Sequence, residues 1–210
     1  MTEIDFFENG YHITKAPESI ITDLWRLIHM SEWVATPHKT YLQYDVDNFR
    51  VPTWHPEIVA NNPKPEEGNH YWGSKDIDKQ PKEFVSVGEE IKNLPLFDTL
   101  RSCSRNLSLK YMSAWNGAAD LPWHSDINDS TDVIVLIYLT EEETWDDSWG
   151  GTIEFRRQRE FETTAYRKLR PLSGNMVILN NTNPLMQHKT TPMVNPYVNR
   201  YTFNFCYSWT

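Results

Sequence analysis

The 210-residue sequence has little of what builds small secreted domains or membrane proteins. Its only cysteines are Cys103 and Cys206, and it has no CxxC motif, so neither a disulfide framework nor a cysteine-based structural zinc site is indicated. No window approaches the roughly 20 consecutive apolar residues of a membrane span. The opening segment, MTEIDFFENG, lacks the basic and apolar stretches of a secretory signal. These absences predict a cytoplasmic protein without a membrane partner.

Positive charge is also scarce in this chain. It has 20 Lys and Arg against 29 Asp and Glu, which gives a formal net charge of −9. That balance disfavours nucleic acid as a partner. Apolar residues make up 39% and charged residues 23%, which is ordinary for a globular protein that needs no disulfide or metal to fold. We therefore expect a single domain over residues 1–210.

Helical patterning is confined to the first hundred residues. Residues 17–33 place apolar side chains on one side of a predicted helix, and a second helix is predicted over residues 83–100 with an interruption near Pro95. Between them, residues 38–82 combine prolines with scattered aromatics, which predicts ordered loops with short strands. We expect residues 1–100 to form a helical support and substrate-side loops, with residues 44–72 as part of a substrate-facing wall or lid.

After Ser102 the apolar pattern changes to short segments that tend to alternate. Strands are predicted over residues 106–115, 122–127, 132–139, 152–155, 168–172, 175–179 and 199–207. Gly, Asn, Asp and Pro separate these segments, and Gly150-Gly151 reads as a turn or bulge. So many short strands favour a sandwich or jelly roll, which makes the predicted fold mainly β with supporting N-terminal helices.

Three residues stand out as metal-ligand candidates. In LPWHSDI, His124 and Asp126 are two positions apart, so on a strand both would point to one face and could share an ion. The similar His55-Pro-Glu57 fits a loop better because of its middle proline. His188 follows the apolar segment 176–179 and adds a second imidazole. Two histidines and one carboxylate with open positions are typical of non-haem Fe(II) oxygenases.

The last predicted strand supplies a possible anion-binding group. Alternation places one set of side chains on one face: Arg200, Thr202, Asn204 and Cys206. The other face carries Tyr201, Phe203, Phe205 and Tyr207. A cation and a hydroxyl are therefore expected to point into the same space.

Four ordered blocks of the C-terminal half resemble the 2-oxoglutarate and Fe(II)-dependent dioxygenases, in particular their prolyl-hydroxylase-like branch. The blocks are LSLKYMSAWNGAADLPWHSD, VIVLIYLTEEETWDDSWGGTIEF, LRPLSGNMVILNNTNPLMQHKTTP and NRYTFNF. The resemblance implies a double-stranded β-helix, a cupin-like jelly roll, as the catalytic core over residues 101–210. It also implies that His124, Asp126 and His188 bind Fe(II).

The resemblance assigns the co-substrate residues as well. Arg200 and Tyr138 would bind the distal carboxylate of 2-oxoglutarate, Thr202 would supply a hydroxyl, and Tyr111 corresponds to a tyrosine ahead of the first metal histidine. Two intervals, from Tyr111 to His124 and from His188 to Arg200, are longer than is usual in the family. The first hundred residues carry none of its motifs. Tyrosines in strands are also common packing residues, which is the alternative interpretation of Tyr111 and Tyr138.

The implied reaction converts 2-oxoglutarate and O₂ to succinate and CO₂ and hydroxylates a substrate C–H bond, with ascorbate as an optional further cofactor. The carboxylate of Asp126 favours hydroxylation or oxidative demethylation over halogenation. The leading substrate is a side chain of a protein or peptide, with proline first. A small amino acid or a nucleobase stays open as substrate, and so does a non-catalytic jelly-roll protein whose metal site is structural or degenerate.

Overall fold

The computed structural model describes residues 3–35, 38–39, 44–45, 50–54, 77–100, 106–117, 121–127, 131–158 and 167–210. The α-helices in these ranges are α1 (Glu3–Asn9), α2 (Glu18–Met30), α3 (Lys82–Lys92) and α4 (Pro95–Leu100). Short 3-10 helices lie at Ile77–Lys79 and Asp147–Trp149. None of the helices in these ranges is long and apolar enough to cross a lipid bilayer.

The described ranges also contain thirteen strands. They are β1 (Tyr11–Lys15), β2 (Trp33–Ala35), β3 (His38–Lys39), β4 (Tyr44–Asp45), β5 (Arg50–Pro52), β6 (Leu107–Asn116), β7 (Leu121–His124), β8 (Val133–Leu139), β9 (Ile153–Arg157), β10 (Arg167–Leu169), β11 (Asn175–Asn180), β12 (Met186–Thr190) and β13 (Tyr201–Trp209).

The strands form two facing antiparallel sheets and one small ladder. The seven-stranded sheet has the order β1-β11-β8-β13-β6-β5-β2, the four-stranded sheet has the order β10-β9-β12-β7, and β3 pairs with β4. Side chains from both larger sheets share one buried apolar cluster, which is the interior of the jelly roll. The predicted mainly β fold, a jelly roll with supporting helices, is confirmed.

Helix α2 forms because its apolar positions repeat at helical spacing. Ile20, Leu24, Leu27 and Ile28 are all at most 5% exposed, and Pro17 precedes the first turn with an extended backbone. The helix ends at Met30, three residues earlier than predicted. Trp33 instead begins β2, whose edge pairing with β5 outweighs the helical pattern.

The second predicted helix is interrupted as expected. Helix α3 ends at Lys92, and Pro95 opens α4, where a missing N–H costs nothing. Gly88 lets α3 approach the seven-stranded sheet closely, since a Cβ there would lie 2.7 Å from Leu109 Cδ2. The Tyr207 hydroxyl then donates to the Gly88 carbonyl at 2.9 Å. Helices α2 and α3 thus cover the outer face of this sheet.

Most predicted strands are present, with shifted ends. The segment predicted over 122–127 ends at His124, so Asp126 lies beyond strand β7. His188 belongs to a separate strand, β12, which the apolar pattern missed because its sequence is MQHKT. Strands β1, β2 and β5 come from the first hundred residues and join the seven-stranded sheet.

The alternation predicted for β13 is confirmed by packing. Cys206 lies in the interior cluster between the sheets. Phe203, Phe205 and Tyr207 lie in the cluster on the helix side. This strand therefore presents one row of side chains to the helices and the other row to the interior of the jelly roll.

Candidate metal centre

His124, Asp126 and His188 converge inside the jelly roll. His188 and His124 face each other across strands β12 and β7, and their ring centroids are 4.3 Å apart. Asp126 Oδ1 lies 3.3 Å from His124 Nε2, and Asp126 Oδ2 lies 3.3 Å from His188 Nε2. One ligand atom of each residue lies within 4.8 Å of the other two. Among the described residues, this is the only His, Cys, Asp or Glu group with that geometry.

The protonation pattern suits a divalent metal. His124 Nδ1 lies 2.6 Å from the Pro122 carbonyl, so a proton on Nδ1 leaves the Nε2 lone pair directed at Asp126. Burial lowers the pKa of His188, which keeps this imidazole neutral. Burial opposes ionisation of Asp126, but the two imidazoles outweigh it and lower its pKa well below the usual range. Burial opposes protonation of His124, but the hydrogen bond and charge of Asp126 outweigh it and raise the pKa of this imidazole. Two imidazole nitrogens and a carboxylate are a donor set that fits Fe(II).

Asp126 is positioned by a distant side chain and not by a strand. Asn181 Nδ2 donates to the Asp126 backbone carbonyl at 2.5 Å and to the Thr131 carbonyl at 2.9 Å. The Asn181 N–H also donates to the Asp132 carbonyl at 2.8 Å. Sequence reasoning missed Asn181. The available signal was its position in NNTN, directly after the apolar strand β11.

In the part of the chain that the structure describes, Arg200 has the largest fully buried polar side chain, and backbone carbonyls hold it. Its Nη1 donates to Gly151 at 2.9 Å and its Nη2 to Gly117 at 2.6 Å, while Nε has no partner. The turn before Gly151 requires a glycine at position 150. Gly150 has φ +73°, and a Cβ there would lie 1.8 Å from the Pro192 oxygen. Burial lowers the pKa of Arg200 to about 10, so the guanidinium stays charged at neutral pH.

Tyr138 and Thr202 accompany Arg200. They are directly paired across strands β8 and β13, and they are 3% and 2% exposed. Burial raises the pKa of Tyr138 to about 12, with the charge of Arg200 acting in the opposite direction, so the phenol stays protonated. The Thr202 hydroxyl is buried without a partner. A buried cation beside unsatisfied donors is a suitable environment for a carboxylate.

Tyr111 lies at the other end of the interior. It is paired with Cys206, six residues along β13 from Arg200, which is about 20 Å of strand. Burial raises the pKa of Tyr111, and the proximity of Cys206 and Asp126 adds to this. Tyr111 is therefore at the end of the jelly roll that holds Asp126. Its contact with 2-oxoglutarate stays a prediction.

Trp123 faces outward, where Arg156 Cζ lies 4.4 Å and Lys189 Nζ 5.1 Å from its ring centroid, so it does not line the interior. His55 and Glu57 fall outside the described residues, as does most of the wall or lid predicted over residues 44–72.

Comparisons with known proteins agree with this geometry. Residues 109–208 match the family model described as the 2OG-Fe(II) oxygenase superfamily, and this range includes all three candidate ligands and Arg200. No curated protein matches the sequence.

Solved structures share the fold at low identity. One is a prolyl hydroxylase from Trichoplax adhaerens in complex with a peptide of the hypoxia inducible factor oxygen degradation domain. It is 15% identical with a TM-score of 0.57, and the match covers 97% of this chain and 85% of the Trichoplax chain. A 2OG-Fe(II) oxygenase family oxidoreductase from Burkholderia pseudomallei is 11% identical with a TM-score of 0.61. The match covers 97% of this chain and 86% of the Burkholderia chain.

A third structure is HygX from Streptomyces hygroscopicus with nickel, 2-oxoglutarate and hygromycin B bound. It is 11% identical with a TM-score of 0.55 and covers 99% of this chain and 87% of its own. These likenesses cover nearly the whole chain and establish the jelly-roll fold. The family model shows that residues 109–208 are similar to the 2OG-Fe(II) oxygenase superfamily, and these solved structures show that the fold is shared over nearly the whole chain.

Proposed function

We propose that this protein is a 2-oxoglutarate-dependent hydroxylase in which His124, Asp126 and His188 hold Fe(II). The observation that supports this most is the convergence of two Nε2 atoms and one carboxylate on a single point between the sheets. When bound there, Fe(II) and 2-oxoglutarate supply O₂ activation coupled to release of succinate and CO₂. The protein's own side chains bind and orient the reactants.

Each residue of the site has a definite task in this proposal. The hydrogen bond to the Pro122 carbonyl orients the His124 ring, and neutral His188 needs no deprotonation before it binds a metal. Arg200 keeps its positive charge in a buried position, where a carboxylate of 2-oxoglutarate would neutralise it. Tyr138 and Thr202 offer hydroxyl groups to the same carboxylate.

We further propose a protein or peptide side chain as the substrate, with proline as the leading candidate. The whole-chain fold likeness to a peptide-bound prolyl hydroxylase supports this choice. The similar fold of HygX, with hygromycin B bound, keeps a small molecule as the second candidate. A cytoplasmic location belongs to the same proposal, and the free, buried thiol of Cys206 agrees with a reducing compartment.

The proposal is tested by adding Fe(II) and then 2-oxoglutarate to the protein without oxygen. A visible charge-transfer band of the chelated keto acid is expected, and it should be absent from His188→Ala. Admission of oxygen should then produce succinate. If the protein binds Fe(II) but gives neither the band nor succinate, it is the non-catalytic metal-binding jelly roll instead.

A further inference from the structure

One charged side chain on the inward face of strand β9 is used neither by the candidate metal ligands nor by the Arg200 group. Arg157 is the last residue of β9, where Ile153 and Phe155 point into the interior cluster. Because strand side chains alternate, Arg157 points to the same face. Arg156 points outward, where its Nε donates to Gln187 at 2.8 Å and its guanidinium covers Trp123.

The strand register places Arg157 at the metal end of the interior. Phe155 is paired with His188, and Arg157 is paired with Met186, about 7 Å further along the strands. Strand β7 runs antiparallel to β12, so the chain passes from His124 through Asp126 toward that same end. This end is opposite to the one occupied by Arg200.

Arg157 lacks the partners that a partly buried guanidinium normally has. Its Nε is buried without a hydrogen bond, and none of the ion pairs formed by described residues includes it. The two adjacent arginines of the strand are thus treated differently, since Arg156 is paired on the outside. In a protein with a net charge of −9, an inward arginine that has no carboxylate partner in the described ranges is unexpected.

Strand β9 stays paired with the segment before β12 beyond Arg157. Leu185 is 38% exposed, and its carbonyl accepts a hydrogen bond from the N–H of Gln158.

We propose that Arg157 is a substrate-specificity residue that binds a carboxylate of the substrate beside the metal centre. This rests on the proposed hydroxylase function and adds the class of substrate: a molecule whose reacting C–H bond lies near a carboxylate. A planar guanidinium matches a carboxylate with two parallel hydrogen bonds. The carboxylate can belong to a small acid or to an acidic residue of a peptide, and the test separates these two sources.

The test uses the full-length protein with Fe(II) and saturating 2-oxoglutarate under anaerobic conditions, and calorimetry measures the binding of paired probes. The small-molecule pair is N-acetyl-proline and N-acetyl-prolinamide. The peptide pair is a blocked tripeptide with central proline, preceded by either glutamate or glutamine. In one of the two pairs, the carboxylate probe should bind about 10- to 150-fold more tightly than its amide.

That preference should disappear in Arg157→Gln and be partly retained in Arg157→Lys. Arg156→Gln is the matched control, because its side chain lies on the opposite face of the same strand, and it should keep the preference of the parent. Thermal unfolding shows whether each variant is folded. If Arg157→Gln fails to fold, Arg157→Lys is compared with the parent instead.

Equal preference in the parent and in Arg157→Gln would overturn the inference, because the carboxylate would then be bound elsewhere. Failure of the parent to favour either carboxylate probe at millimolar concentration would overturn it as well. The charge-transfer band of the parent, recorded on the same samples, reports the hydroxylase proposal separately. A band without a carboxylate preference rejects only the role of Arg157.

Discussion

The two larger sheets of the jelly roll differ in how their outer faces are covered. In the seven-stranded sheet, every residue of β8 (VIVLIYL) is buried, because helices lie on one face and the other sheet lies on the opposite face. In the four-stranded sheet, β12 alternates between buried and half-buried residues. The outer face of this sheet carries charged groups such as Lys189 of β12 and Glu154 of β9. The seven-stranded sheet is therefore buried on both faces, whereas the four-stranded sheet is buried on one face and faces solvent on the other.

The site draws different groups from each sheet. His124 and His188 come from the four-stranded sheet, and Asp126 directly follows its strand β7. Arg200, just before β13, and Tyr138, in β8, come from the seven-stranded sheet. The three candidate metal ligands are therefore separable by mutation from the main core, whereas the residues proposed to bind the carboxylate lie in or next to heavily buried strands.

Phe84→Ala should have the largest effect on stability, at about 3–5 kcal/mol of unfolding free energy. Phe84 is fully buried between α3 and the seven-stranded sheet, with ring centroids 5.7 Å from Phe203 and 5.2 Å from Phe205. Chemical denaturation measures the loss. Trp123→Ala, on the outer face of the four-stranded sheet, is the control and should cost less. Equal losses would contradict the difference between the sheets.

His188→Ala should abolish tight Fe(II) binding while the fold persists. Removal of one of three ligands should cost more than the roughly 10- to 100-fold that is typical for loss of an outer-shell partner. Calorimetric titration with Fe(II) measures the affinity, and circular dichroism checks the fold. The assignment of the three ligands is wrong if the variant binds Fe(II) like the parent.

Arg200→Ala should weaken 2-oxoglutarate binding by about 10- to 150-fold, because a charged hydrogen-bonded contact contributes roughly 1.5–3 kcal/mol. Fe(II) affinity should stay within a few-fold, since Arg200 is not a ligand. Arg200→Lys should have a 2-oxoglutarate affinity between those of the parent and Arg200→Ala, because lysine keeps the charge but lacks the planar guanidinium that forms two parallel hydrogen bonds. The KM for 2-oxoglutarate and the Fe(II) Kd are the two measurements. Parent-like 2-oxoglutarate binding in Arg200→Ala would show that Arg200 is structural.

Asn181→Leu should lower metal affinity by about 10- to 100-fold, because it removes the side chain that holds the Asp126 carbonyl. The Kd for Co(II), followed by its visible absorption, measures this without turnover. Thr182→Ala is the control, since it loses a 2.7 Å hydrogen bond to Asn180 in the same turn without touching Asp126. Equal Kd values in the two variants would mean that Asn181 does not position Asp126.

Local periodicity predicted the elements whose buried faces repeat regularly. Helix α2 and the two faces of β13 followed directly from the spacing of apolar residues. It could not predict β12, where His188 lies in a short polar strand held by its pairing with β9 and β7. It also could not place Trp123 on the outside, because an aromatic residue in a strand fits either face.

The sequence by itself predicted the mainly β class and the inward side of β13, because these depend on residue type and on alternation within a few positions. The three candidate ligand residues were predicted from residue type together with the resemblance of the C-terminal blocks to a known family. Only the tertiary structure decided how the site is assembled. The Asn181 side chain, 55 residues further along the chain, holds the Asp126 backbone carbonyl next to the two imidazoles by a hydrogen bond. Arg200 is held by Gly117 and Gly151 from two other strand ends, and among the described residues Arg157 Nε is buried without a hydrogen-bond partner. Such contacts arise when distant segments pack together, and no local pattern encodes them.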